Sequence, residues 1–168
     1  MRLPTTAALR LLSGTAMTLA ASAALAIPAI AHDRGTATGA LAFLSDAKTP
    51  VGQAGGDLFI HEDASISYTG GLTGIADAYD IVVVHSDGSV NGYGTEICQG
   101  CTIGGRTGSF IAVFAFHGST EITGREIFVS ASGGLAGLSG GGSFHGGPAG
   151  ITYSYEYRFA PARPRVSR

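Results

Sequence analysis

ITYSYEYRF (151–159) alternates without a break. Ile151, Tyr153, Tyr155, Tyr157 and Phe159 fall on one face of an extended chain, and Thr152, Ser154, Glu156 and Arg158 on the other. Such a period of two marks a half-buried β-strand, and the rest of the body reads in the same terms. SFIAVFAFHG (109–118) is apolar on both faces, the pattern of a strand covered on both sides. YDIVVVHSDGSVNGYG (79–94) is two strands about Asp87-Gly88. That pair suits a tight hairpin, because glycine takes positive φ freely and aspartate tolerates it. Further strands are expected near 36–44, 58–68, 121–131 and 135–145. No window from 35 to 159 repeats its apolar residues at helical spacing over three turns.

The chain has 168 residues, 45% of them apolar, 13% charged, and 27 of them glycine. The length is that of one domain. A charged fraction about half the usual ~25%, with a net charge of −2, excludes an acidic disordered chain. It also excludes a nucleic-acid binder, which carries a basic patch. The glycines lack the every-third-residue period of collagen. They fall inside the expected strands as well as between them (Gly71, Gly74, Gly92, Gly94, Gly105, Gly108, Gly124, Gly137). Glycine weakens a strand, so its repeated use there implies bends where a sheet coils and closes on itself. Seven or eight short strands with this punctuation make an all-β antiparallel barrel the first choice, with a sandwich second.

Residues 1–31 read as a secretory signal peptide. Arg2 and Arg10 make the basic start, Leu11 to Ile30 carries no charge, and Ala29-Ile30-Ala31 is a small-x-small cleavage pattern. Cleavage is expected after Ala31, giving a secreted or periplasmic protein with no stable membrane anchor. Gly14, Pro28 and the threonines weigh against an uncleaved anchor. The mature chain then keeps 8 basic and 12 acidic residues. Residues 32–160 form the barrel domain. The tail PARPRVSR (161–168), with two prolines and three arginines, is expected to be disordered.

Two segments carry a resemblance. YGTEICQGCTIGGRTGSFIAVFAFHG (93–118), with its GRTGSF, and SASGGLAGLSGGGSFHG (130–146), with its GLAGLSG, precede the tyrosine-rich final strand. Together they resemble the DUF3224 family, grouped in the allene oxide cyclase barrel-like, dirigent-related superfamily. The resemblance covers roughly 36–159 and is firmest from about 92 onward. It implies an eight-stranded antiparallel barrel. It implies no reaction, since the family's function is unassigned. Plant relatives in the wider superfamily cyclise oxidised fatty acids or steer radical coupling, but none of their catalytic residues matches a motif here. Superfamily trimers imply that this chain is a monomer or a small homo-oligomer; no exposed apolar pattern in the sequence demands the latter.

Cys98 and Cys101 are the only cysteines. In an oxidising compartment they are expected to pair, stapling the tip of a hairpin between a strand ending at Ile97 and one starting near Thr102. The competing reading is a redox pair, which needs a helix start to lower a thiol pKa, and no helix follows. Glu62 is the one candidate catalytic residue. In LFIHEDASISY (58–68) it shares parity with Leu58, Ile60, Ala64, Ile66 and Tyr68, so it stands in the lumen if that face lines the barrel. A β-bulge or early strand end returning it to solvent is the favoured alternative. By the same parity His85 goes inward with Tyr79, Ile81 and Val83. Phe114, Phe116, Tyr153, Tyr155 and Tyr157 are the expected aromatic lining. The glycine-rich runs lack a P-loop lysine and a following helix, and no spacing of the five histidines makes a metal site. No cofactor is expected. The functional expectation is a binding module for a small apolar molecule. The alternatives are a cyclase or isomerase acting on an apolar substrate, and a scaffold whose barrel is filled.

Overall fold

The computed structural model describes residues 33–160. The expected signal peptide, His32 and the expected disordered tail lie outside the described residues. The described chain is eight strands: β1 (Arg34–Ala54), β2 (Asp57–Gly70), β3 (Leu72–Val84), β4 (Val90–Ile103), β5 (Arg106–Gly118), β6 (Ile122–Gly133), β7 (Leu138–Gly147) and β8 (Gly150–Phe159). Each pairs antiparallel with the next, and β8 returns to β1 from Arg34↔Arg158 to Leu41↔Ile151. The sheet is therefore a closed barrel, not a sandwich. Among the described residues there is no helix.

The short connections follow from their glycines. Gly104 and Gly105, both at positive φ (60° and 75°), turn β4 into β5 with two residues, as the right-handed strand twist prefers. The Asp87-Gly88 hairpin has a longer loop than a two-residue turn. The Gly88 amide donates to the His85 carbonyl at 2.9 Å, and the His85 amide to the Ser89 carbonyl at 2.9 Å.

β1 outruns the seam. Beyond Leu41 it pairs only with β2, so one edge of the segment to Ala54 has no neighbouring strand. Bulges at Phe43/Ser45 and Pro50/Gly52, together with Pro50 and Lys48, blunt that edge against further strand pairing.

The core occupies one end of the lumen. Leu72, Ile103, Leu135, Leu138 and Phe159 plug the end that carries the β2–β3, β4–β5 and β6–β7 connections. Above the plug, Phe128 meets Phe110 and Tyr155 edge to face. The Arg106 guanidinium lies 4.2 Å over the Phe159 ring and pairs with Asp33, covering the plug from outside.

Several expectations need correction. β3 begins at Leu72, not near Tyr79, and β4 runs through to Ile103, so Cys98 and Cys101 lie inside one strand rather than at a hairpin tip. Their disulfide, with Cα atoms 5.9 Å apart, spans a bulge in the β4–β5 ladder. Both cysteines are fully buried, out of reach of an exchange partner. Gly71, Gly105 and Gly137 sit in connections, not strands. β5 is not covered on both sides, since Ile111 and Val113 are exposed outside it. They join Ile75, Tyr79, Tyr93, Ile127 and Val129 in an apolar outer face across β3–β6, an exposed pattern that the sequence did not reveal.

Candidate functional site

A cavity of about 280 Å³ occupies the half of the lumen opposite the plug. Its rim is formed by half-exposed Val90, Phe116, Ile122 and Ile151, next to the connections of that end. The walls are apolar: Leu41, Ile66, Ala78, Val82, Phe114 and Phe144. Four carboxylates interrupt them, Glu62, Asp80, Glu96 and Glu126, each at most 8% exposed.

Glycine makes room for the aromatic walls. A Cβ at Gly92 would lie 2.2 Å from Cζ of Phe116, and one at Gly124 would lie 2.1 Å from Cζ of Phe144. Each ring rests on bare backbone of the neighbouring strand. That seating is what leaves the middle of the lumen open.

Glu62 and Asp80 stand nearer the mouth. Glu62 pairs with Lys48 at 3.3 Å, and Lys48, reaching in from the overhang of β1, also pairs with Asp46. Desolvation raises Glu62 above the usual carboxylate range, and Lys48 opposes the rise. Asp80 is pushed up to about 7, first by desolvation and then by the charge of Glu62.

Glu96 and Glu126 form the floor. The Tyr68 hydroxyl donates to Oε2 of Glu96 at 2.8 Å and stands 3.5 Å from Oε2 of Glu126, so one phenol bridges the pair. Tyr155 donates to Oε2 of Glu126 at 2.7 Å. Oε1 of each carboxylate is buried with no hydrogen-bond partner. Desolvation pushes Glu126 up to about 7, and desolvation together with the charge of Glu126 pushes Glu96 well above its ordinary range. The pair therefore carries a proton at neutral pH. Desolvation and these carboxylates also drive both phenols upward, so they remain donors.

The sequence-derived candidates divide. Glu62 lines the cavity rather than returning to solvent, and so do Phe114 and Phe116. His85 does not: it lies outside the barrel beyond β3, 3.0 Å from Asp57 and 2.7 Å from Asn91. The assumed parity of that strand is inverted, with Ala76, Ala78, Asp80 and Val82 inward and Tyr79 outward. Tyr153, Tyr155 and Tyr157 all point into the barrel, but into its packed part below the cavity. Tyr153 spends its hydroxyl on the backbone of Leu72 and Thr69, and stacks on Tyr155 at 4.8 Å. Asp80, Glu96 and Glu126 were missed. The available signal was a carboxylate in phase with glycine, alanine and cysteine: Gly94-x-Glu96-x-Cys98, Ala78-x-Asp80, Gly124-x-Glu126. Among the described residues no cluster of histidine, cysteine and carboxylate is arranged to hold a metal ion.

No family model and no curated protein matches the chain. Among solved structures, it is similar to the crystal structure of a protein with unknown function from the DUF3224 family of Shewanella oneidensis MR-1. The two superpose with a TM-score of 0.64 at 20% sequence identity, over 77% of this chain and 99% of that one. At that identity the likeness establishes a shared fold.

Proposed function

We propose that this chain is an exported member of the DUF3224 family, within the allene oxide cyclase barrel-like superfamily, and that it binds a small apolar molecule in its lumen. The GRTGSF and GLAGLSG motifs and the likeness of fold support the family, and the charge-free run before Ala31 supports export. The observation that carries the binding reading is the cavity: enclosed by aliphatic and aromatic walls, closed below and open at one rim. A filled scaffold is the weaker reading because a cavity of about 280 Å³ lies above the packed layer of Tyr153, Tyr155 and Tyr157. The apolar outer face of β3–β6 favours a small homo-oligomer over a monomer.

The Glu96–Glu126 pair favours one second reading, a cyclase or isomerase. A protonated and an ionised carboxyl side by side supply an acid and a base to an apolar substrate. Native mass spectrometry of the exported protein tests the main reading, followed by denaturation and solvent extraction. A small molecule released on unfolding supports lumenal binding. A bare protein mass that no added apolar compound shifts turns the balance to the scaffold.

A further inference from the structure

Carboxyl groups supply almost all of the polar atoms that the cavity offers a ligand. The tyrosine protons go to Glu96 and Glu126. Lys48, the one cation lining the cavity, is paired with Asp46 and Glu62 at the mouth. Among the cavity's carboxyl oxygens, Oε1 of Glu96 and Oε1 of Glu126 are the two that are fully buried without a partner, on residues only 2% exposed. A buried acceptor left unmatched costs about 1–3 kcal/mol, so such an atom in a lined cavity marks the place of a missing donor.

Charge points the same way. Four carboxyl groups against one lysine leave the lumen net negative even with a proton on the Glu96–Glu126 pair, and its low-dielectric walls strengthen the attraction for a cation. Four of the wall residues are phenylalanines, Phe43, Phe114, Phe116 and Phe144, whose ring faces also favour a positive charge.

Resting on the reading of the lumen as a binding site, we infer that the ligand is an organic amine: a compact apolar body with a protonated nitrogen that donates to Oε1 of Glu96 and Oε1 of Glu126. The body fills the space between Ile66, Val82, Phe116 and Phe144, and the ammonium replaces the proton that the empty pair holds. Binding therefore releases a proton, and affinity rises as pH climbs through the titration of the pair. The charged and titratable groups around the pair are Tyr68 and Glu62 from β2, Asp80 from β3, Tyr155 from β8, and Lys48 with Asp46 from β1. Asp80 adds to the same trend, since it too ionises near 7.

The test is calorimetric titration with two compounds of one shape, 1-adamantylamine and 1-adamantanol, and with the smaller pair cyclohexylamine and cyclohexanol. Near pH 8 an amine should bind about tenfold or more tightly than its alcohol, the gain of a charge-assisted hydrogen bond. At neutral pH the heat of amine binding should vary with the ionisation enthalpy of the buffer. Glu126→Gln, and separately Glu96→Gln, should each remove about tenfold of amine affinity and leave alcohol affinity within about twofold. An alcohol that binds as tightly as its amine overturns the amine inference and leaves lumenal binding standing. Amine affinity unmoved by both substitutions, in variants folded by circular dichroism, also overturns it. No binding of any of the four compounds overturns the inference and the binding reading together.

Discussion

Tyr155 on β8 reaches across the lumen to Oε2 of Glu126 on β6, 2.7 Å away, and their strands are not neighbours. One hydroxyl thus joins the packed half of the barrel to the floor of its cavity. The contact also sets the charge of the floor, because the phenol favours the ionised form of Glu126 against the desolvation that raises it. Tyr155→Phe keeps the ring packing and removes only the donor. We expect a loss of about 1–2 kcal/mol in denaturant unfolding near pH 8, where Glu126 is ionised, and a smaller loss near pH 5. An equal loss at both values means that the hydroxyl does not bear on the charge.

Stability should fall with rising pH. Glu126 is held up to about 7 and Glu96 well above its usual range, by burial in both and in Glu96 also by the charge of Glu126. Unfolding returns them to about 4.3, so between these values the folded protein holds more protons than the unfolded chain. The stabilisation is complete below about pH 4 and is lost as pH rises through 7. Thermal midpoints should be roughly 5–10 °C lower at pH 8 than at pH 5. Glu126→Gln removes its share, on the order of 2–3 kcal/mol, and should be more stable than the parent at pH 8. A parent midpoint that rises toward pH 8 contradicts the account.

Gly124→Ala should be costly for a reason specific to the cavity. Its Cβ would sit 2.1 Å from Phe144, so the ring must move off the backbone and into the open lumen. We expect about 1–3 kcal/mol of destabilisation in chemical unfolding. Gly52→Ala is the control: nothing lies within 4 Å of its Cβ. It should change stability by less than about 0.5 kcal/mol.

Breaking the Cys98–Cys101 bond should be tolerated. The enclosed loop is very short and both sulfurs are sealed in the core. Unfolding after reduction, or in the Cys98→Ala/Cys101→Ala double variant, should show a loss at or below about 2 kcal/mol with the barrel intact. Native protein should show no thiol titre before reduction. A large loss of far-ultraviolet signal on reduction means that the disulfide, not the core packing, holds β4 in place.

The barrel was legible because β8 alternates without a break and turn residues punctuate short strands along the whole body. The cavity was half legible. Glu62 was in phase with bulky apolar neighbours, which is how an inward face ordinarily looks. Asp80, Glu96 and Glu126 were hidden because the bulkier face of β3, β4 and β6 points outward: Ile75 and Tyr79, Tyr93, Ile127 and Val129 are exposed. The inward partners are Ala76 and Ala78, Gly92 and Gly94, and Gly124, small enough to fit a narrow lumen and to seat the rings of Phe116 and Phe144. Taking the more hydrophobic face as the inner one therefore inverted β3 and sent His85 to the wrong side.

Seven of the eight strand pairings join neighbours in sequence, and only the β1–β8 seam joins distant parts of the chain. Almost all the loop-closure entropy of folding is thus concentrated in one step, the docking of the last strand on the first. At the end of that seam the Phe159 amide donates to the Asp33 carbonyl at 2.7 Å, which leaves the two termini of the described domain side by side. The ring has no privileged starting point. A circular permutant with its old ends linked and new ends opened at Asp87-Gly88 keeps every ladder and the whole lumen, while moving the slow closure from the β1–β8 seam to the β3–β4 pair.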